Sequence, residues 1–383
     1  MFRQYRLQDF RLRLVVLVYA ITILGILVIG SAAEEYQSQQ LLGMILGTVA
    51  MLVLTLMDYR ILLNLSWVLY AVNIVLLLAV KFVGYEANGA KRWLNLGFMR
   101  FQPSELTKLI LIIFFAYFFT KYKDQLNTWK MILASIVLLL IPLGLVIAQP
   151  HLSATITIAY LFCVLFFVAG LSYKVIGGII AVTVPSIIIF LNLIMQEGQT
   201  ILNEYQLDRI MAWLNPAEYG DDAYQQQNSI IAIGSGQLYG KGLYNNDISS
   251  LKNGNFIVEP QTDFIFAVTG EELGFIGCAA VIILLTLIAL ECLWIGRNAR
   301  DQEGMIICCG FGGLIAFQTF ANVCVATGLM PNTGIPLPFV SYGLTSLVML
   351  YMGIGIVLNV GLQPKKYSHL EGGNFYEYRI DCT

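Results

Sequence analysis

EPQTDFIFAVTGEELGFIGCAAVIILLTLIALECLWIG, residues 259–296, decides what kind of molecule this is. Its second part, 273–296, is apolar for the length a helix needs to cross a bilayer, about 20 residues. Its first part gathers Glu259, Gln261, Thr262 and Asp263, then Glu271 and Glu272, at the lip of that run. A carboxylate where hydrocarbon begins is costly and marks a functional site. The stretch reads as a membrane-spanning helix with chemistry at its entrance.

Working outward, the whole chain has the same character. Its 383 residues are 58% hydrophobic and 12% charged, with a mean hydropathy of +0.73. A soluble domain carries about 25% charged residues, so this is a polytopic membrane protein. The net charge of -2 offers no basic face to neutralise phosphates, which excludes a nucleic-acid partner. Cys163, Cys278, Cys292, Cys308, Cys309 and Cys324 fall inside apolar runs and Cys382 lies near the C-terminus, so no disulfide framework is implied. The first run has no small-residue cleavage pattern after it and reads as a retained helix.

Runs of spanning length lie at 13–33, 40–57, 61–83, 105–121, 130–149, 152–171, 173–195, 273–296, 305–328 and 340–362. They predict an all-α fold of about ten transmembrane helices in one membrane domain, 1–383. Arg3, Arg6, Arg11 and Arg13 precede the first run and Glu34 and Glu35 follow it, which puts the N-terminus in the cytoplasm. Arg60, Lys121, Lys123, Lys130, Lys174, Arg297, Arg300, Lys365 and Lys366 then all fall on the same side, C-terminus included. Two connections on the opposite side are long and polar: 84–104, with Lys91, Arg92 and Arg100, and the large loop 196–262 between helices 7 and 8. Loops of that length in a compact protein are usually functional. The stretch 205–216, YQLDRIMAWLNP, predicts a partly helical segment lying against the membrane.

Several polar groups need an account. Glu105 and Lys108, three apart in FQPSELTKL (101–109), share one helix face, either as an ion pair that offsets the cost of burial or as walls of a polar cavity. Glu271 and Glu272, between Gly270 and Gly274, belong to a re-entrant or broken first turn, or else cap the eighth helix. IAIGSGQLYGKGL (231–243) lacks the Gly-Lys-Ser/Thr ending of a P-loop, which leaves tight packing turns, with Lys241 suited to touch an anion. Pro331, Pro336 and Pro338 stiffen 328–343 into a pocket wall. His151 and His369 are too far apart in the chain for a metal pair, and no His/Cys cluster has metal-ligand spacing.

GAKRWLNLGFMRFQPSELTK (89–108), RIMAWLNP (209–216), QNSIIAIGSGQLYGKGL (227–243), EPQTDFIFAVTGEELGF (259–275) and TGLMPNTGIPLPFVSYG (327–343) together resemble the SEDS proteins, the RodA/FtsW/SpoVE group of bacterial cell-wall polymerases. The resemblance covers nearly the whole chain, and the PLPF block leans toward RodA. It implies a peptidoglycan glycosyltransferase in the bacterial cytoplasmic membrane that polymerises lipid II at the outer face. A class B penicillin-binding protein is the implied transpeptidase partner, among other proteins of a cell-wall synthesis complex. It also implies that Asp263 is the catalytic base and that Arg92, Glu105 and Lys108 match family motif positions. Two places depart from the pattern: QPHLSA (149–154) puts His151 where the family has Asp, and SYGLTS (341–346) lacks the second glycine.

The chemistry is coherent with one carboxylate. Lipid II carries its own leaving group, undecaprenyl pyrophosphate, so a single base that accepts the proton of the attacking sugar hydroxyl suffices for an inverting displacement. The pyrophosphate charge must be met by cations, by a divalent ion such as Mg or Mn, or by both. Arg92, Lys108, Arg209 and Lys241 are the candidate cations, and Glu259, Thr262 and Ser341 complete the expected substrate-binding set. Competing readings are a lipid II flippase, which needs the polar cavity but no base, and a catalytically degenerate scaffold.

Overall fold

A computed structural model describes residues 10–87, 90–95, 97, 100–175, 177–178, 181, 185, 210–215, 218, 220–244 and 259–363. The chain opens with α1 (Leu12–Ala32), α2 (Glu34–Leu56), the short α3 (Tyr59–Asn64) and α4 (Ser66–Val83). A small antiparallel sheet follows, β1 (Tyr85–Ala87), β2 (Ala90–Asn95) and β3 (Arg100–Phe101), in the order β1-β2-β3. Then come α5 (Pro103–Lys121), α6 (Trp129–Ile147), α7 (Leu152–Val168), α8 (Gly220–Ser235), α9 (Ile265–Arg297), α10 (Gln302–Ala326) and α11 (Leu344–Gly361). Eight of these are long and apolar enough to cross a membrane, and α7 is a shorter apolar helix. Most of the run at 173–195 and, within the loop 196–262, residues 196–209, 216–217, 219 and 245–258 lie outside the described residues.

Three boundaries differ from the hydropathy reading. Glu34 and Glu35, expected in a loop, form the first turn of α2, where the positive end of the helix dipole favours acids. The run 61–83 is two helices, because Leu65 leaves helical geometry between α3 and α4. The connection 84–104 is not plain loop but carries the sheet, the one departure among the described residues from an all-helical chain.

The core is built around α5. Pro103 sits in its first turn, where the missing N–H costs nothing. From Leu109 to Phe119 it is buried on nearly every face, with only Tyr117 partly exposed. Helices α3, α4, α7, α10 and α11 pack against it. Helix α2 lies along α11 in parallel: Gly43 faces Leu347, Gly47 faces the Tyr351 ring and Gly355 faces the Met51 backbone. A Cβ on Gly47 would stand 2.9 Å from Tyr351 Cγ, and one on Gly355 2.6 Å from the Met51 carbonyl oxygen. In a bilayer, where apolar surface gains nothing by leaving lipid, such close approach is what holds helices together.

At the bundle end remote from Asp263, Asp301 caps α10 by accepting from the Gly304 amide at 2.9 Å, from the Tyr59 hydroxyl and from Arg60 Nη2 at 3.0 Å. Asn359 closes this end, taking the Tyr59 amide at 3.0 Å and donating to Thr55 O at 2.7 Å.

Helix α9 is not continuous. Gly274 takes φ 65° and ψ -162°, so a short helix 265–273 is set off from the spanning part. Of the two readings of Glu271 and Glu272, the broken turn holds: both are buried at the C-terminal end of that short helix.

The α2–α11 seam yields a prediction. Gly47→Leu forces the helices apart at the Tyr351 ring, at a cost of at least about 1–3 kcal/mol for overpacking. The expected result is a lowered apparent Tm in detergent, read by the temperature dependence of the monodisperse peak.

Candidate functional site

Asp263 stands in the turn 259–264 that leads into the short helix. The turn begins with Glu259 in left-handed geometry, φ 51°, and Glu259 O accepts from both the amide and the hydroxyl of Thr262, at 3.1 and 3.0 Å. The carbonyls of Gln261, Thr262 and Asp263 are each taken by a group from elsewhere. The Tyr342 amide donates to Gln261 O at 2.8 Å, the Ser341 hydroxyl to Thr262 O at 2.7 Å, and Asn322 Nδ2 to Asp263 O at 2.8 Å. Ser341 Oγ also accepts the Leu337 amide at 2.8 Å, and Asn322 donates a second bond to Ile335 O at 2.8 Å. Gln40, fully buried on α2, brackets the same segment by donating to Ser341 O and accepting from the Gly343 amide, both at 3.2 Å. The backbone under Asp263 is thereby fixed at three successive positions, while Asp263 and Thr262 remain half-buried.

The second half of the site is the charged pair on α5. Lys108 Nζ lies 2.7 Å from Glu105 Oε1, and both residues are buried. Ser346 lies beside the Glu105 carboxylate. The pair walls a cavity of about 10 Å³ with Leu109, Phe311, Leu314, Met349 and Leu350, room for roughly one water. The ion-pair reading holds: the charges are joined, and the space they adjoin is water-sized and otherwise lined by apolar side chains.

His151 lies beside them. Gln102 Nε2 can only donate, so His151 Nε2 accepts at 3.4 Å, and Nδ1 carries the proton toward Ser104 Oγ at 3.1 Å. Burial and then the neighbouring Arg92 charge push the imidazole down to about 3, against the pull of Glu105. It stays neutral at physiological pH. Arg92, on β2, donates through Nη2 to Pro150 O at 2.6 Å, the carbonyl just before His151.

The segment 341–346 links the two halves. Ser341 and Tyr342 hold the Asp263 turn; Ser346 reaches Glu105, and the Thr345 hydroxyl donates to Arg100 O at 2.9 Å. One short stretch therefore sets the base candidate relative to the ion pair.

The third element is the helix break. Breaking α9 at Gly274 frees carbonyls before it and amides after it, and the Gly-rich turn after α8 meets both. The amides of Lys241 and Gly242 donate to the Glu271 and Glu272 carbonyls at 2.9 Å each, and the amides of Phe275 and Ile276 donate to Gln237 O and Leu238 O at 2.8 and 3.3 Å. Such an approach needs glycine: a Cβ on Gly240, whose φ is 78°, would lie 2.1 Å from Glu272 O. Lys241 Nζ sits 2.8 Å from Glu271 Oε1, and the Ser31 hydroxyl donates to Glu272 Oε1 at 2.5 Å while accepting the Tyr244 amide at 2.8 Å.

Of the residues expected from sequence, Asp263, Thr262, Glu259 and Ser341 converge on the turn; Glu105, Lys108 and Arg92 gather near His151. Lys241 is on the break, and Arg209 lies outside the described residues. Asn322, Gln40 and Ser31 escape motif reading. Their signal is a polar residue inside an apolar run, which in a membrane protein calls for a named partner.

The chain matches the family described as "Cell cycle protein", FTSW_RODA_SPOVE, over residues 7–366. It is 34% identical over 362 residues to Peptidoglycan glycosyltransferase MrdB of Escherichia coli K12, covering 93% of this chain and 94% of that one. It is 32% identical over 373 residues to Probable peptidoglycan glycosyltransferase FtsW of Trichlorobacter lovleyi, covering 94% of each. Among solved structures, a chain of a peptidoglycan synthase complex coordinating polymerization and crosslinking superposes with a TM-score of 0.74 at 29% identity, over 92% of this chain and 97% of that one. Thermus thermophilus rod shape determining protein RodA gives 0.64 at 29% identity, over 92% and 96%.

Ser341→Ala tests the buttress. It leaves the Leu337 amide and the Thr262 carbonyl short of a partner, at a cost of about 1–3 kcal/mol. Thermal unfolding in detergent is expected to show a lower Tm, with faster hydrogen exchange at the Leu337 amide than in the parent chain.

Proposed function

The chain belongs to the FtsW/RodA/SpoVE family, and we propose that it is a peptidoglycan glycosyltransferase polymerising lipid II at the outer face of a bacterial cytoplasmic membrane. The observation that carries this reading is the link made by 341–346 between the Asp263 turn and the residues that lead into α5, the helix bearing the Glu105–Lys108 pair. It sets one carboxylate at a fixed place relative to buried cations, and that is the pairing the reaction needs.

In this reading Asp263 accepts the proton of the acceptor sugar's C4 hydroxyl while that oxygen attacks C1 of the donor. The C1–O bond to pyrophosphate breaks in the same displacement, and the anomeric configuration inverts. Arg92 and Lys108 meet the charge that builds on the departing undecaprenyl pyrophosphate. Glu105 holds Lys108 in place across its 2.7 Å ion pair. The neutral His151 adds no charge of its own, so the local excess of cations over Glu105 is left for the phosphates. Glu259 and Thr262 shape the turn that presents Asp263 and complete the surface that meets the sugar.

A divalent cation, where one takes part, would share its coordination with the pyrophosphate. Among the described residues no three His, Cys, Asp or Glu side chains converge to hold a metal, so no step is derived through a resident ion. The long lipid tail stays in the bilayer, and the distribution of Lys and Arg in the short loops supports an orientation with Asp263 outside and both chain ends in the cytoplasm. A class B penicillin-binding protein is the partner that would crosslink the strands, in keeping with the likeness of this chain to one chain of a peptidoglycan synthase complex that coordinates polymerization and crosslinking.

Asp263→Asn is the direct test. The variant is expected to fold, to bind lipid II and to make no glycan strands when incubated with lipid II, a divalent cation and the partner, a loss of at least about 100-fold for removal of a general base. Strand synthesis at the parent rate would refute the role of Asp263. Lipid II scrambling in vesicles by a chain that makes no strands would favour the flippase instead.

A further inference from the structure

The mechanism leaves Glu271, Glu272 and Lys241 without a task. The two acids are adjacent, each about 1% exposed, and stand at the C-terminal end of the short helix 265–273, where the helix dipole is already negative. Burying two carboxylates there is unfavourable unless cations and donors meet them. Lys241 meets one and Ser31 the other. The same residues flank the four backbone hydrogen bonds that bridge the break at Gly274. Asp263 lies at the other end of this short helix, so whatever fixes its C-terminal end fixes the depth and direction of its leading end.

We propose that Lys241 and Glu271 are a positioning pair for glycan polymerisation: their ion pair latches the Gly-rich turn across the break at Gly274 and holds the short helix with Asp263 in register. This rests on the reading of Asp263 as base, and it assigns Lys241 a place other than on the pyrophosphate. The latch is two-layered. Backbone hydrogen bonds set the geometry; the side-chain pair removes the charge that would drive the layers apart. Ser31 ties the same turn to α1 through Tyr244, so the turn is held from both sides of the break.

The test uses the full chain with its partner and three variants: Lys241→Gln, Glu271→Gln and the double replacement. Lys241→Gln leaves a buried carboxylate unneutralised, and a displacement of the base on the order of 1 Å is expected to cut kcat by roughly 10- to 100-fold with KM for lipid II little changed. The double variant removes both charges and is expected to recover most of that loss, the non-additivity of residues in direct contact. Hydrogen exchange at the Phe275 and Ile276 amides is expected to quicken in Lys241→Gln and to return to the parent rate in the double variant. A rise in KM alone, with no rescue by the second substitution, would put Lys241 on the substrate and overturn the proposal. Unchanged exchange in Lys241→Gln would overturn it as well. Should the parent chain make no glycan at all, the polymerase reading fails, and the exchange rates still decide whether the latch exists. Should Lys241→Gln not fold, Glu271→Gln with parent-like kcat and exchange overturns the proposal.

Discussion

No backbone amide or carbonyl can be left without a partner at membrane depth, and the structure depends on how that rule is met at Gly274. A continuous α9 would satisfy itself. The break at Gly274 buys a separate short helix at the mouth of the bundle, and the glycine-rich turn 236–242 supplies the missing hydrogen bonds. Gly236, Gly240 and Gly274 let two backbones meet where any Cβ would collide with a carbonyl or an amide. The turn bearing Asp263 is built on that junction, and so are the buried acids beside it.

The other half of the site follows from a different economy. The segment after α10 is kept extended by Pro331, Pro336 and Pro338, and its polar atoms face inward in two directions. Ser341 and Tyr342 hold one carbonyl each of the Asp263 turn, and Thr345 holds the Arg100 carbonyl ahead of α5. Gln40 and Asn322 come from the bundle to complete the arrangement. Rigid elements surround a carboxylate that is itself only half-buried, a division of labour suited to a group that must stay put and still meet a reactant.

Much of this was legible in the sequence, for a physical reason. Length and apolarity alone place nine of the ten expected spans on observed helices, since a bilayer sets the run length whatever the neighbours. Asp263 was legible because a carboxylate at that depth has no bland explanation. Helix ends were less so: Glu34 and Glu35 look like loop residues until the helix dipole is counted. Lys241 was misleading in a similar way. Its glycine-rich surroundings suit an anion, and the anion they meet in the fold is Glu271, thirty positions on in sequence. Long-range partners of that kind, like Gln40 with Ser341, are set by packing that no local pattern encodes. The small sheet before α5 leaves only a short alternation in 90–95, too brief to tell from a loop.

Helix α5 has a consequence for how the protein is made. It is the least apolar of the described spans and the most enclosed, and it carries both Glu105 and Lys108. A segment of that composition enters lipid poorly on its own. It packs against α3 and α4 before it in the chain and against α7, α10 and α11 after it, and the last two are synthesised well after it. Its final seat therefore waits for the C-terminal third of the chain to emerge. Until then the side of the ion pair that faces Met349 and Leu350 is left to whatever the insertion machinery or water can offer it, and a ribosome stalled before residue 344 would leave the central pillar of the fold without α11.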